Sequence, residues 1–239
     1  MILVTDAHVS LANRNHEEFF EMLDHLATLS EDVVFLGDIF DLWIGLPGYQ
    51  DGIHAHFLAW CREQKAVRMV GLVEGNHEFF VAERHGGNFS WCEKAERQVA
   101  EGRVLCVHGD LINRHDLNYL RFRKVSKSAI VKTLVRFLPG GRWLVQRLKK
   151  DLKKTNKAFR ISLPRDEVDR FAAERLVGDV ERIFVGHFHQ EYSVSPRPGT
   201  ALHILPDWFA TRKVAHYDPR RGSLTCVPWR QLTMLESGT

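Results

Sequence analysis

The sequence predicts an α/β fold, and three observations support this prediction. Apolar runs of four to seven residues recur along the chain and alternate with segments whose apolar residues have helical spacing. The runs are continuously apolar, which is typical of strands in a buried sheet. After residue 200 such runs follow one another with turn residues between them. We therefore expect helices packed on a buried sheet, with consecutive strands ending the chain.

The elements are assigned in chain order from these patterns. The predicted strands are the apolar runs themselves, at residues 1–5, 33–36, 67–73, 103–107, 182–185, 202–205, 213–217 and 223–227. The predicted helices lie between strands, at residues 16–29, 53–65 and 166–177. In the first of these helices Phe19, Leu23 and Leu26 recur at intervals of three and four residues. This spacing places them on one face of the helix, toward a core.

Length and composition exclude several protein classes. The chain has 239 residues and a mass of 27.6 kDa, which predicts a single domain over residues 1–239. No apolar run approaches the roughly 18–20 residues that a membrane-spanning helix needs. The first residues, MILVTDAHVS, lack the basic region of a secretory signal. The four cysteines are far apart, which is typical of free thiols. We therefore expect a cytoplasmic protein.

One segment is strongly basic. Residues 121–160 contain 14 lysines and arginines and a single acid, Asp151, whereas the whole chain has a net charge of only +3. Apolar residues recur among these cations on both sides of the Pro139-Gly140-Gly141 break. The pattern predicts two or three amphipathic helices inserted between strands, over residues 113–165, which we call the basic insert. Its charge indicates an anionic partner.

Five polar motifs each follow an apolar run. They are Asp6-x-His8, Gly37-Asp38-x-x-Asp41, Gly75-Asn76-His77-Glu78, His108-Gly109-Asp110 and Gly186-His187-x-His189. Ligands of open α/β sheets gather at the carboxyl ends of the strands, so these motifs are expected to converge on one site. Their nitrogen and oxygen ligands, without thiolates, favour Mn²⁺, with Fe²⁺ or Zn²⁺ as alternatives, over Ca²⁺.

The five motifs indicate a metal site only when they are taken together. A single histidine after a strand is more often a hydrogen-bonded core residue than a ligand, and each motif by itself is common. Five such motifs in order predict two divalent metal ions, with Asp38 able to bridge them through its two carboxylate oxygens. Two cations about 3.5–4 Å apart hold a phosphate between them and activate a water.

This ordered set resembles the calcineurin-like metallophosphoesterases over residues 1–112 and 180–216. The resemblance implies a four-layer sandwich, in which two mixed β-sheets pack face to face between helices. It also implies two sets of metal ligands that share one aspartate: Asp6, His8, Asp38 and His189 for one ion, and Asp38, Asn76, His108 and His187 for the other. His77 would be the catalytic acid or phosphate-binding group, steered by Glu78 or Asp41. Asp110 would be a further carboxylate around the metal ligands.

A narrower resemblance concerns the substrate. Residues 37–45, GDIFDLWIG, and the series Asp116-x-x-Tyr119-x-x-Phe122-Arg123 after His108-Gly109-Asp110 are similar to the UDP-2,3-diacylglucosamine diphosphatases of the lipid A pathway. In that family a helical lid at this position holds the acyl chains. The resemblance implies cleavage of the diphosphate to UMP and a lipid monosaccharide phosphate. The candidate substrate contacts are Asp116, Tyr119, Arg123, Asn156 and Arg160, the last two by position only.

Two departures leave the substrate open. Those diphosphatases usually read GNRD where this chain has His77 and Glu78, and Gln190 replaces the usual basic residue after the last histidine. A metallophosphoesterase acting on another phosphomonoester, a phosphodiester or nucleic acid is therefore an alternative. A non-catalytic module that binds nucleic acid or membrane is a third. The apolar face of the basic insert favours a nucleotide-linked lipid over nucleic acid, and it suggests peripheral contact with the anionic inner face of the cytoplasmic membrane.

Overall fold

The computed structural model describes residues 1–137 and 163–233. The strands are β1 (Ile2–Val4), β2 (Val33–Phe35), β3 (Trp43–Ile44), β4 (Val70–Val73), β5 (Glu78–Phe79), β6 (Trp91–Glu93), β7 (Glu96–Val99), β8 (Val104–Val107), β9 (Arg182–Val185), β10 (Tyr192–Val194), β11 (Ala201–Ile204), β12 (Lys213–Asp218) and β13 (Ser223–Pro228). The α-helices are α1 (His16–Ala27), α2 (Gly52–Gln64), α3 (Val81–His85), α4 (Leu117–Ser126), α5 (Ala129–Phe137), α6 (Arg165–Arg175) and α7 (Trp208–Thr211).

The strands form two large mixed sheets and one small one. The first sheet has six strands in the order β13-β12-β1-β2-β4-β6. Its strands β1, β2, β4 and β6 are parallel to one another. The second sheet has five strands in the order β10-β11-β9-β8-β7, with β8, β9 and β11 parallel in the middle. Strands β3 and β5 pair with each other. Five of these parallel strands, β1, β2, β4, β8 and β9, lead into the five polar motifs.

The two large sheets pack face to face, and the alternation along β1 shows how. Ile2 and Val4 point into a core shared with Phe19 of α1 and Phe57 of α2. Leu3, between them, points the other way, into a layer shared with Phe184 of β9. Successive strand residues face opposite sides of a sheet, so β1 is buried on both faces. This is why its run is continuously apolar.

A helix covers the outer face of the second sheet. Val168 and Ala172 of α6 pack against Ile183 and Val185 of β9. The layers are therefore helices α1 and α2, the first sheet, the second sheet and α6. The predicted α/β class and the four-layer sandwich of two mixed sheets are confirmed.

Two helices of the basic insert lie within the described residues. The Asp116 carboxylate caps α4 by accepting a hydrogen bond from the amide of Tyr119, at 2.9 Å. Val131 and Val135 of α5 pack against a cluster that includes Phe79 and Phe80. A face of exposed apolar side chains remains, formed by Leu117, Val125, Ile130, Leu134 and Phe137. The predicted Pro139-Gly140-Gly141 break, Asn156 and Arg160 lie outside the described residues.

Several elements differ from the sequence-based assignment. The sequence suggested no strand at β3, β5, β6, β7 or β10. Strands β6 and β7 each lie at the edge of a sheet and contain charged residues such as Glu93, Glu96 and Arg97. They therefore lack the apolar run by which the other strands were predicted. All four cysteines are free, as predicted. Within the two described stretches, no helix has both the length and the apolar character needed to cross a membrane.

Candidate metal centre

The five motifs meet where the parallel strands of the two sheets end. Asp6 and His8 follow β1, Asp38 follows β2, and Asn76 and His77 follow β4 in the first sheet, while His108 follows β8 and His187 and His189 follow β9 in the second. All of these side chains are buried, apart from that of His189, which is 7% exposed. Because two parallel sheet regions end at the same place, distant stretches of sequence supply one cluster.

Among residues 1–137 and 163–233, three overlapping groups of three residues could each hold a metal ion. They are Asp6, His8 and His189; His8, Asp38 and His77; and Asp38, His108 and His187, and the ligand atoms within each group lie within 4.8 Å of one another. The last group also meets Asn76, whose Oδ1 lies 3.1 Å from Nε2 of His108. Asp38 belongs to two groups, as a bridging carboxylate would. The arrangement supports a divalent metal site.

Asp6 shows that the residues suit a cation. Its Oδ2 accepts hydrogen bonds from the Thr5 hydroxyl at 2.6 Å and from the His187 amide at 2.7 Å. Its Oδ1 is buried, and no described residue donates a hydrogen bond to it. This oxygen lies 3.7 Å from Nε2 of His189. A buried carboxylate oxygen without a donor is costly unless a cation binds it, so the donor set fits a metal.

Two histidines are oriented by backbone carbonyls. Nδ1 of His108 lies 2.7 Å from the carbonyl oxygen of Leu36, and Nδ1 of His77 lies 2.6 Å from that of Asp41. Carbonyl oxygens only accept, so both Nδ1 atoms carry the proton and donate it. The Nε2 atoms then face the cluster, 3.5 Å and 3.8 Å respectively from carboxylate oxygens of Asp38. Such carbonyl partners are typical of metal-binding histidines.

Burial and mutual repulsion disfavour the charged forms of several side chains in the cluster. Burial raises the pKa of Asp38 well above its ordinary value, and the neighbouring carboxylates of Glu78 and Asp6 raise it further. Burial also lowers the pKa of His77 to about 4 and that of His187 well below its ordinary value. His77 and His187 are therefore neutral at pH 7. Divalent cations would compensate the crowded carboxylates.

The backbone around the cluster is strained. Five of the seven predicted ligands have φ between 42° and 69°, a conformation that side-chain-bearing residues rarely adopt: Asp6, His8, Asp38, His187 and His189. Gly75 approaches Asp38 so closely that an added Cβ would collide with its backbone nitrogen at 2.6 Å. Strain of this kind concentrates at functional sites, where the surrounding structure holds it in place.

Glu78 fastens two of these loops together. Its Oε2 accepts hydrogen bonds from the amides of Asp38 and Gly75, and its Oε1 accepts one from the amide of Ile39, all at 2.8 Å. Of the two residues predicted to steer the His77 ring, Asp41 contacts it through its main-chain carbonyl. The Glu78 carboxylate is buried and binds the backbone amides of both loops.

Three predicted substrate contacts make bonds within the protein. The Tyr119 hydroxyl donates to Asp110 at 2.7 Å, and the Arg123 guanidinium pairs with the same carboxylate. Burial alone would raise the pKa of Asp110, but Arg123, together with smaller contributions from Lys127 and the neighbouring histidines, lowers that pKa below its ordinary value. Asp116 caps α4. Tyr119 stays near the cluster, with its ring centroid 6.4 Å from that of His187. Asp110 thus links the basic insert to the centre.

The structure adds two residues that the sequence-based reasoning missed. Asp207 Oδ1 lies 3.7 Å from Nδ1 of His189, on the side of the ring away from Asp6. Lys127 of the basic insert reaches the main-chain carbonyl of Gly75 at 2.7 Å. Asp207 shares the signal of the other motifs, since it follows a predicted strand. Lys127 has no such signal, because it is one of many cations in the basic insert.

Comparison with known proteins places this geometry in a family. The calcineurin-like phosphoesterase family matches residues 1–191. A UDP-2,3-diacylglucosamine hydrolase of Actinobacillus succinogenes is 28% identical over 231 residues, covering 91% of this chain and 95% of the relative. Enzymes of the same name from Ralstonia nicotianae and Neisseria gonorrhoeae are each 26% identical, covering 87% and 86% of this chain and 83% and 88% of their own lengths. The protein therefore belongs to the calcineurin-like phosphoesterase family and is a metal-dependent phosphoesterase.

Proposed function

We propose that this protein hydrolyses UDP-2,3-diacylglucosamine at its α-phosphate, releasing UMP and a lipid monosaccharide phosphate. The observation that carries the proposal is the extent of the similarity to the UDP-2,3-diacylglucosamine hydrolases. It covers 91% of this chain in the Actinobacillus succinogenes comparison, which is more than the phosphoesterase core alone would give. The substrate combines a diphosphate with two acyl chains, so its enzyme needs a cation-binding centre beside an apolar surface.

The centre would hold two divalent cations, with Mn²⁺ preferred and Fe²⁺ or Zn²⁺ as alternatives. Asp6, His8 and His189 would bind one ion, Asn76, His108 and His187 the other, and Asp38 both. When bound, the ions supply charge stabilisation for the phosphoryl group and a water of lowered pKa. The protein contributes imidazoles, a shared carboxylate and hydrogen-bonded loops that position these ligands.

His77 would act on the phosphate rather than on a metal. Its Nδ1 donates to Asp41, which fixes the ring and leaves Nε2 directed into the cluster, 3.8 Å from Asp38. In that position Nε2 would take up a proton when the negative charge of a phosphate lies beside it, and would then protonate the leaving oxygen or donate a hydrogen bond to a phosphate oxygen. The same ring also belongs to one of the candidate metal groups, with His8 and Asp38. A test of His77 therefore has to measure metal content as well as rate.

The basic insert, residues 113–165, would form the lipid-binding side of the site. Helices α4 and α5 carry exposed Leu117, Ile130 and Phe137, and α4 is joined to the centre through Asp110. Exposed apolar side chains between cations suit acyl chains beside a diphosphate, and the same surface suits the anionic inner face of the cytoplasmic membrane. Asp116, Tyr119 and Arg123, with Asn156 and Arg160, are the proposed contacts of the polar part of the substrate.

One observation favours a second candidate. His77 and Glu78 stand where the diphosphatases usually have arginine and aspartate, which matches the more general phosphoesterase pattern. The alternative is that the same centre acts on another phosphomonoester, a phosphodiester or nucleic acid.

The test compares three substrates with purified, Mn²⁺-loaded protein: UDP-2,3-diacylglucosamine, bis-p-nitrophenyl phosphate and single-stranded DNA. An Asp38→Asn variant purified in parallel measures any contaminating activity. The proposal predicts that kcat/KM is highest for the nucleotide lipid and that UMP is released. A higher kcat/KM for either of the other two substrates, with no release of UMP, would support the second candidate instead.

A further inference from the structure

One lysine of the basic insert differs from its neighbours. Lys127 stands at the end of α4, and only 14% of its side chain is exposed, whereas Lys124 on the preceding turn is exposed. Burying an ammonium group is costly unless charged or hydrogen-bonding partners compensate it. Its partners therefore indicate what Lys127 does.

Those partners all belong to the segment that leads into the centre. Nζ of Lys127 donates a hydrogen bond to the carbonyl oxygen of Gly75 at 2.7 Å and lies 3.5 Å from Oε2 of Glu74. It also lies 5.8 Å from the centroid of the Phe79 ring. The other oxygen of Glu74 accepts a hydrogen bond from the amide of Ala82 at 2.6 Å. Lys127 is thus fixed to both sides of the turn that carries Asn76 and His77.

We propose that Lys127 is a positioning residue that holds the Gly75–His77 turn in place for metal binding and phosphoester cleavage. Two side chains hold this turn. The Glu78 carboxylate accepts a hydrogen bond from the Gly75 amide, and Lys127 of the basic insert donates one to the Gly75 carbonyl. The same peptide segment is thereby fixed through its donor and its acceptor. The inference rests on the proposed function only in taking Asn76 as a metal ligand.

Lys127 is not needed to attach the insert to the body. Arg123 and Tyr119 of α4 bind Asp110, and Val131 and Val135 of α5 pack against the cluster that contains Phe79. These contacts remain when Lys127 is changed. A Lys127 variant should therefore keep α4 and α5 seated while it frees the turn, which separates positioning from simple anchoring.

The experiment compares Lys127→Met with wild type and with Lys124→Met, which removes an exposed lysine from the same helix. Mn²⁺ binding to metal-free protein is measured by titration calorimetry, and turnover is measured with bis-p-nitrophenyl phosphate, a small diester that needs no acyl-binding surface. Loss of an outer partner of a metal site typically costs about 10–100-fold in metal affinity or activity. We expect that loss in the affinity for at least one Mn²⁺ and in kcat, with KM nearly unchanged, for Lys127→Met only.

A Lys127→Arg variant provides the rescue, because guanidinium keeps the charge and the donor toward Gly75; it should recover most of the loss. If circular dichroism shows Lys127→Met to be unfolded, Lys127→Gln takes its place in the same measurements. Wild-type Mn²⁺ affinity and diester kcat in the neutral variant, or no recovery with arginine, would overturn the proposal. The Mn²⁺ titration uses no substrate, so it gives its answer even if the nucleotide lipid is not the substrate.

Discussion

At the residue scale, Asp38 connects most of the centre. It belongs to two of the three candidate metal groups, and its Oδ1 also accepts a hydrogen bond from the His77 amide at 2.8 Å. It is buried beside the carboxylates of Glu78 and Asp6, which together with burial raise its pKa. A residue placed in this way is stabilised as a carboxylate by the cations that it would bridge.

Asp38→Asn should therefore remove most of the activity while the fold stays intact. The amide has the same shape but lacks the charge that holds two dications together, so the loss should exceed the roughly 10–100-fold cost of an outer-shell change. Metal analysis should show weaker binding of both ions. Asp24→Asn, an exposed position on α1, is the matched control. Turnover close to wild type in Asp38→Asn would contradict a dinuclear centre.

His77→Ala should lower the rate by roughly 10²–10⁴-fold, the usual contribution of a general acid, without loss of metal. The control is His56→Ala, which removes an exposed histidine. The decisive measurement is the metal content of the variant: a missing ion would make His77 a ligand.

His77→Arg introduces the arginine found in the diphosphatases, and a rise in activity on the nucleotide lipid would indicate a different native substrate.

At the scale of elements, the loops after β2 and β4 depend on each other through Glu78. A glutamine at this position keeps one acceptor but directs an NH₂ group at the amide of Ile39, which is itself a donor. An unsatisfied buried group of this kind costs about 1–3 kcal/mol. We expect Glu78→Gln to lower the free energy of unfolding by about that amount in urea titrations, and Mn²⁺ affinity to fall with it.

The control for Glu78→Gln is Glu93→Gln, because the Glu93 side chain is 41% exposed and pairs with Arg97 at the surface. Its free energy of unfolding should change by less than about 1 kcal/mol, as for other exposed ion pairs. Equal stability and Mn²⁺ affinity for Glu78→Gln and wild type would show that the two loops hold their positions without this carboxylate.

The elements also show what the sequence can and cannot predict. Strands β1, β2, β4, β8 and β9 were predictable because they are buried on both faces and leave continuous apolar runs. Strand β7 was not, since only Val99 of its four residues is buried. The division of the insert at Lys127 and Ser128 was also missed, because neither residue is a helix breaker.

At the scale of the whole molecule, the site was more predictable than its supports. Each predicted ligand follows an apolar run, so topology alone brings Asp6, Asp38 and His187 together. Glu78 and Lys127 act on backbone amides and carbonyls, and these contacts depend on three-dimensional placement that no spacing reveals. The predicted roles of Asn156 and Arg160, and the boundaries 113–165 of the insert, stay predictions.

The insert and the body should differ in how they respond to substrate. Helices α4 and α5 carry many cations and an exposed apolar face, so an anionic lipid would both neutralise and cover them. We expect hydrogen exchange over residues 116–137 to slow when a non-cleavable analogue of the nucleotide lipid is added, while exchange in β1 and β2 is unchanged. Binding to anionic vesicles should weaken as salt rises.

Equal exchange in α4 and α5 with and without the analogue, together with no vesicle binding at low salt, would contradict a role of the insert in lipid binding. A headgroup-only analogue without acyl chains is the matched control. It should bind at the centre without protecting the apolar face of these helices.

The central claim, cleavage of a nucleotide-linked lipid at its α-phosphate by this centre, is tested most directly by the fate of the water oxygen. Metal-free protein is reconstituted with Mn²⁺ and incubated with UDP-2,3-diacylglucosamine in ¹⁸O-labelled water. The ¹⁸O content of both products is then measured by mass spectrometry. We predict one ¹⁸O in UMP, none in the lipid monosaccharide phosphate, and no products without metal. Label in the lipid product, or no release of UMP by the Mn²⁺-loaded protein, would contradict the account.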